Sequence, residues 1–168
     1  MDVALGDTLR VEVTLNAEAV LAGLDQSRFA ADTDAAPEAA DYDALRALPE
    51  DELAARFADA FDAFAARLVL DGAGPPELVS AETLPAEGGA EFPRETRVVL
   101  AAPASGPVRI GWAPEYGELV LRETPAPGQD PAKTFAALLG PGEVSPPLAP
   151  PEAPSLWRRA LGAVGLAD

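Results

Sequence analysis

The sequence predicts a mainly β protein with an α insertion: an antiparallel, immunoglobulin-like β-sandwich carrying two helices near residues 37–67. Three observations lead there. Residues 8–16, TLRVEVTLN, alternate apolar and polar without a break, the period of a strand with one buried face. Leu53, Phe57, Phe61, Phe64 and Leu68 follow at steps of four, four, three and four, the period of a helix with one apolar stripe. Beyond Leu68, short β-rich runs recur between Pro and Gly punctuation, the spacing of an antiparallel sandwich.

The elements follow in order. In the first strand Leu9, Val11, Val13 and Leu15 share one face, and Arg10, Glu12, Thr14 and Asn16 the other. AEAVLAGLD (17–25) reads as a short helix or turn, and the polar, Ala-rich 26–36 as loop. Pro37 suits a first helical position, where its missing N–H costs nothing. Glu38 and Asp41 then sit near the positive end of the helix dipole, with Tyr42, Leu45 and Leu48 behind them at steps of three. Pro49 opens a second helix whose first turn is Glu50, Asp51 and Glu52. Its Leu53-to-Leu68 stripe is expected to face the core rather than to line a ligand groove.

Five strand candidates come next: RLVLDG (67–72), ELVSAETL (77–84), RETRVVLAA (94–102), PVRIGWA (107–113) and GELVLRET (117–124). With 8–16 they make six, and KTFAALL (133–139) adds a seventh. Asp71-Gly72 and Ala104-Ser105-Gly106 are expected turns. Val108, Ile110 and Trp112 share a face. Residues 1–139 form the expected domain, the Pro-rich 140–154 an extended linker, and 155–168 a short amphipathic or juxtamembrane tail. In that tail Leu156, Ala160, Ala163 and Val164 line one side, with Trp157, Arg158 and Arg159 near its start.

Composition narrows the function. With 168 residues and 48% apolar content, the chain can bury one sizeable core. Its net charge of −16 repels phosphate backbones, and no basic stripe with interleaved aromatics offsets it, so nucleic acid is not an expected partner. There is no cysteine and no histidine. A thiol nucleophile, a thiolate metal site, a Ser-His-Asp triad and a histidine-ligated zinc or haem therefore have no residues to form from. No run approaches the roughly 18 apolar residues of a membrane span. Met1 leads directly into Asp2, without the n-region and h-region of a signal peptide. Such a start suits a cytoplasmic chain or an excised domain.

Two stretches invite a site. In ADTDAAPEAADYDALRALP (31–49), Asp32, Asp34 and Asp43 fall at positions 1, 3 and 12 of an EF-hand count. Position 5 is then Ala36 and position 6 Pro37, where the loop needs an oxygen ligand and a Gly. Helix-entry chemistry explains the same residues; a weak divalent-cation site built on those three aspartates is the alternative. WAPEYG (112–117) brings Trp112 and Tyr116 to either side of a Pro turn. They form either an exposed platform for a protein or glycan partner, or a hairpin corner with Trp112 in the core. Paired carboxylates could in principle cleave a glycosidic bond, but the acids fall on expected helix surfaces. Gly140-Pro-Gly142 lacks the Lys and following helix of a phosphate loop, so no cofactor is expected.

Four stretches together carry a family resemblance: DVALGDTLRVEVTLNAEAVLAGLD, ADTDAAPEAADYDALRALPEDEL, PVRIGWAPEYGELVLRE and FAALLGPGEVSPPL. In order and character they resemble the extracytoplasmic N-terminal region of HupE/UreJ-type membrane proteins, over roughly residues 2–148. Members of that family are described as hydrogenase or urease accessory proteins and as metal permeases. The resemblance implies a non-catalytic periplasmic domain, tethered to the transmembrane region of the same full-length protein. It implies a role in interaction, gating or weak cation capture. The family's metal-handling residues lie in membrane helices that this sequence does not contain, so no ligand carries over. A trimmed signal peptide would fit the abrupt start, and a Pro-rich connector before Trp-Arg-Arg a juxtamembrane position. A free-standing periplasmic binding or adaptor protein is the competing expectation.

Overall fold

The computed structural model describes residues 1–28, 39–86, 92–125 and 130–150. Its strands are β1 (Asp2–Ala4), β2 (Thr8–Leu15), β3 (Leu68–Ala73), β4 (Glu77–Thr83), β5 (Thr96–Trp112), β6 (Leu119–Glu123) and β7 (Ala136–Leu139). Its helices are α1 (Ala17–Ala22), α2 (Ala39–Arg46), α3 (Glu50–Asp59) and α4 (Phe61–Ala65). The mainly β class with an inserted helical stretch is therefore present. The immunoglobulin-like sandwich is not: the strands form one mixed sheet curled into a half-barrel.

The reason lies in β5. The sequence suggests two strands separated by a turn at 104–106, but β5 runs unbroken through it. Both edges of the strand stay occupied at that point. Gly74 N–H donates to Pro103 O at 2.7 Å, and Ala104 N–H to Asp7 O at 3.4 Å. A segment held on both sides continues as strand despite its turn-forming residues. The inward positions keep one parity throughout: Thr96, Val98, Leu100, Ala102, Ala104, Val108, Ile110 and Trp112 are all buried.

Everything else registers on β5. β2 pairs antiparallel with its first half, from Thr8↔Pro103 to Leu15↔Thr96. On the opposite edge β3 and β4 together accompany it, from Leu68↔Trp112 to Thr83↔Thr96. They are one long hairpin arm interrupted at Gly74-Pro75-Pro76, where two prolines cannot donate to the ladder. The expected turn at Asp71-Gly72 lies inside β3, at a register shift. Gly72 has φ 94°, and a Cβ there would lie 2.4 Å from Pro107 O, so only glycine fits. β1 continues the sheet from β2, pairs parallel with β6, and β6 pairs antiparallel with β7.

Residues 140–150, within the stretch expected to be a linker, lie along the second half of β5. Val108 and Leu148 exchange backbone hydrogen bonds, each 2.9 Å. Ser145 Oγ accepts from Ile110 N–H at 2.9 Å. Ser145 and Leu148 are buried, so this strap closes one side of the core. Pro at 146 and 147 suits a segment that needs few ladder donors.

The helices complete the same core. In β2 Leu9, Val11 and Val13 are buried between exposed neighbours, as the alternation predicts. Leu53, Phe57, Phe61 and Phe64 are buried and Leu68 half-buried, so the apolar stripe faces inward over its length. The helix itself breaks at Ala60, whose N–H is shared between Arg56 O and Phe57 O, and α4 carries the stripe onward. Asn16 caps α1 by accepting from Ala19 N–H at 3.0 Å, and Gly23 ends it at φ 75°, a C-terminal geometry that favours glycine.

Candidate functional site

A cleft of about 260 Å³ opens where α1, α3, α4 and the turn after β5 meet. Its wall is Val20, Leu21 and Leu24; its floor is Phe57, Ala60, Ala63 and Phe64; its rim is Arg67, Glu115 and Tyr116. Each group has a local cause. The helical stripe buries Phe57 and Phe64, 0% and 3% exposed, so they back the cleft from beneath its surface. The chain then turns out of α4 through Arg67 into β3. Pro114 and its neighbours form a single 3-10 turn (Pro114–Tyr116) that lifts Glu115 and Tyr116 beside Arg67. Arg67 and Glu115 are joined by an ion pair across the rim.

The aromatic rings form a chain rather than a flat platform. Phe57 and Phe64 stand 5.2 Å apart, Phe64 and Tyr116 5.8 Å apart, and Trp112 meets Tyr116 edge-on at 5.8 Å. Contacts of this kind each add up to about 1 kcal/mol beyond area burial. Trp112 is 9% exposed, and its Nε1 donates to Gly117 O at 3.0 Å. Of the two residues expected to meet a partner, Trp112 is therefore a core residue that positions the turn, and Tyr116 alone reaches the cleft. Burial raises the Tyr116 phenol above its ordinary pKa, while the nearby Arg67 guanidinium opposes the shift. The phenol is thus neutral at physiological pH, a hydrogen-bonding group at the edge of an apolar cavity.

Leu21 and Ala60 also border a second, more open groove of about 700 Å³ between α1, α2 and α3. Leu45 and Leu48 supply its apolar side, and Asp41, Arg56 and Asp59 its charged side.

The acidic cluster fares differently. Asp32 and Asp34 lie outside the described residues. Asp43 is exposed on α2. Among the described residues no three acidic side chains come together as a metal-binding group. Tyr42, next to Asp43 in the chain, accepts from Asn16 Nδ2 at 3.3 Å, which ties α2 to the cap of α1, and lies under the Arg46 guanidinium of the same helix at 5.7 Å.

Sequence reasoning missed Arg94 and Glu18. Arg94 Nε donates to Glu18 Oε1 at 2.8 Å. Its two remaining nitrogens donate to Leu48 O at 2.7 Å and Leu45 O at 3.0 Å. One guanidinium thus closes the C-terminal end of α2 and neutralises the acid in the first turn of α1. It holds the α1 and α2 walls of the groove in place. Nothing local marks either residue, because Glu18 reads as an ordinary first-turn acid.

No protein-family model matches the chain, and no curated protein sequence matches it. Among the described residues no helix is long and apolar enough to cross a membrane.

Proposed function

We propose that this chain is a non-catalytic, extracytoplasmic interaction domain, belonging to an integral membrane protein of the kind that HupE/UreJ-type proteins represent. Its working surface is the cleft lined by Val20, Leu21 and Tyr116, with the groove beside Leu45 and Leu48. The observation that carries the reading is the make-up of that surface: Val20, Leu21 and Ala63 beside Tyr116 and the Arg67–Glu115 ion pair, over buried Phe57 and Phe64. Such a cavity receives an apolar side chain of a partner. Burying one large side chain supplies about 1.5–3 kcal/mol. The rim pair of Arg67 and Glu115 then selects orientation more than it adds affinity. The partner that suits the resemblance is the transmembrane region of the same full-length protein, through a connecting or periplasmic segment.

Cation capture is the minor part of the reading. Asp32 and Asp34, with Asp43 on α2, would attract a divalent ion weakly through an acidic surface of an already acidic protein. Calorimetry with Ni²⁺, Co²⁺ and Ca²⁺ tests it. Heat that disappears when Asp32 and Asp34 are changed to Ala supports capture; no heat at millimolar metal ends it.

The reading frame on either side of the coding sequence tests the main proposal. Continuation past Asp168 into several apolar runs of about 20 residues supports a tethered domain. A stop codon directly after Asp168 overturns it in favour of a free-standing periplasmic adaptor.

A further inference from the structure

The groove between α1, α2 and α3 combines two features that ask for a particular occupant. Leu21, Leu45 and Leu48 give it an apolar side, and Asp41 and Asp59 stand exposed at its border. Among the described residues neither aspartate is in an ion pair. Arg56, which also borders the groove, is paired with Glu52 of its own helix at 3.4 Å. A segment that suits this border brings apolar side chains and positive charge together. Most of a chain of net charge −16 has no such segment to offer.

One stretch does. Residues 153–167, APSLWRRALGAVGLA, contain no acid, and Arg158-Arg159 is the one place in the sequence where two bases stand side by side. Leu156 and Trp157 directly precede them. These residues lie outside the described ones, but the point from which they start is fixed. Leu148 and Val108 exchange backbone hydrogen bonds of 2.9 Å. Six residues earlier, Gly142 lies against Pro114, where an added Cβ would be 3.3 Å from Pro114 Cβ, beside the Glu115 and Tyr116 rim of the cleft. Trp157 is nine residues beyond Leu148. The chain that takes six residues to leave the rim has nine in which to return, about 28 Å in the extended form that prolines favour. Leu21 and Ala60 border both the cleft behind that rim and the groove.

From these observations we infer that the C-terminal segment 155–168 docks on the groove of its own chain, with Leu156 and Trp157 against Leu21 and Leu48 and the Arg158-Arg159 pair towards Asp41 and Asp59. The inference rests on the reading of the groove as an interaction surface, and names the segment that occupies it. Charge and tethering select this occupant. The segment carries the paired bases that the unpaired aspartates attract. A short linker holds it at an effective concentration on the order of millimolar, so even a weak contact stays made. The body of a second copy brings acids rather than bases to the same border. The groove is thus covered from within the chain, and an outside partner reaches it by displacing the segment.

Tryptophan fluorescence of the full 168-residue chain tests the inference, with Trp157→Phe as the reference that leaves only Trp112. The difference between the two reports Trp157. Its emission is expected to be blue-shifted, and its quenching by acrylamide several-fold weaker than in a synthetic peptide of residues 151–168, at every protein concentration. Ala44→Arg, at an exposed position of the groove, should raise the quenching to the peptide's level; Ala55→Arg, exposed on α3 but outside the groove, should leave it unchanged. Asp41→Asn with Asp59→Asn should also loosen the segment, and added salt should then have little further effect, whereas it loosens the parent. The labelled peptide should bind the variant Leu156→Glu with Trp157→Glu, whose own segment is disabled, and bind the parent about tenfold or more weakly, because there it competes with the tethered segment. A Trp157 as quenchable in the parent as in the free peptide overturns the inference. If the peptide nevertheless binds the disabled variant, and Ala44→Arg blocks it, the groove still stands as an interaction surface; if it does not bind, that reading falls as well. Protection that grows with protein concentration places the segment on a second copy and overturns the inference. An emission that shifts only when phosphatidylglycerol vesicles are added assigns the segment to a membrane surface and does the same.

Discussion

Arg94 Nε lies 2.8 Å from Glu18 Oε1, joining residues 76 positions apart in a site where Glu18 is fully buried. The pair is incompletely satisfied. Glu18 Oε2 has no hydrogen-bond partner among the described residues. Removing one member of such a pair costs more than removing both, because the survivor is left as an uncompensated buried charge. Arg94→Ala should therefore destabilise by about 3–5 kcal/mol, and it also uncovers the Leu45 and Leu48 carbonyls. The double change Glu18→Leu with Arg94→Met should recover most of that loss. Urea midpoints of the parent and the three variants, including Glu18→Leu alone, measure the difference. A double variant as unstable as Arg94→Ala would mean that the cap on α2, not the ion pair, matters.

The helical stripe gives a second expectation. Phe61 is buried and packs against Phe64 at 6.4 Å. Phe61→Ala should cost about 3–5 kcal/mol, as deletion of a buried ring does. Phe92 is 51% exposed, and its replacement by Ala should change stability by no more than about 0.5 kcal/mol. Equal effects in denaturant unfolding would place Phe61 on an accessible face instead.

These helices and β2 were readable because their signals are local. Period two in TLRVEVTLN and the four-four-three-four stripe each report one face of one element. The continuity of β5 was also written in the sequence, in a quieter form. Val98, Leu100, Ala102, Ala104, Val108, Ile110 and Trp112 share one parity across 104–106, and a genuine turn would have had no need to preserve it. The Pro and Gly of PASGP outweighed that phase because turn propensity is a local statement, whereas the partners that hold β5 straight come from Asp7 and Gly74. The candidate cleft was half legible. Phe57, Phe64 and Tyr116 stood out as aromatics, but Val20, Leu21 and Leu24 join them only through tertiary packing. The strap at 143–148 was hidden by the same logic, since Pro-rich composition describes stiffness and not what the chain lies against.

That strap provides a third expectation. A Cβ on Gly111 would lie 2.7 Å from Glu143 O and 3.2 Å from Val144 Cα. Both neighbours are close, and the carbonyl is main chain that cannot rotate away. Gly111→Ala should push the strap off β5, exposing Leu148 and breaking the bond from Ile110 N–H to Ser145 Oγ. We expect a lowered urea midpoint and faster proteolytic cleavage within 140–150. Gly106→Ala serves as the comparison, because nothing lies within 4 Å of a Cβ there; it should leave both measurements unchanged.

Tyr116 links the cleft to pH. Its phenol is held above the ordinary value of 10.0, first by burial, with Arg67 pulling in the opposite direction. The unfolded chain therefore gives up this proton at lower pH than the folded protein. Between the two values the folded state holds more protons, and stability falls as pH rises. The contribution is fully present below about pH 10 and fades as pH climbs through the raised folded value. Two measurements check it. In a Tyr42→Phe background, phenolate absorbance reports Tyr116 alone, and its midpoint should lie above that of the urea-unfolded chain. Tyr116→Phe should flatten the alkaline fall in stability attributable to this residue. Arg67→Gln should raise the Tyr116 midpoint further, since it removes the one nearby charge that favours the phenolate. A folded midpoint at or below the unfolded one would mean that the Tyr116 ring is solvated and does not form the half-buried side of the cleft on which the interaction reading depends.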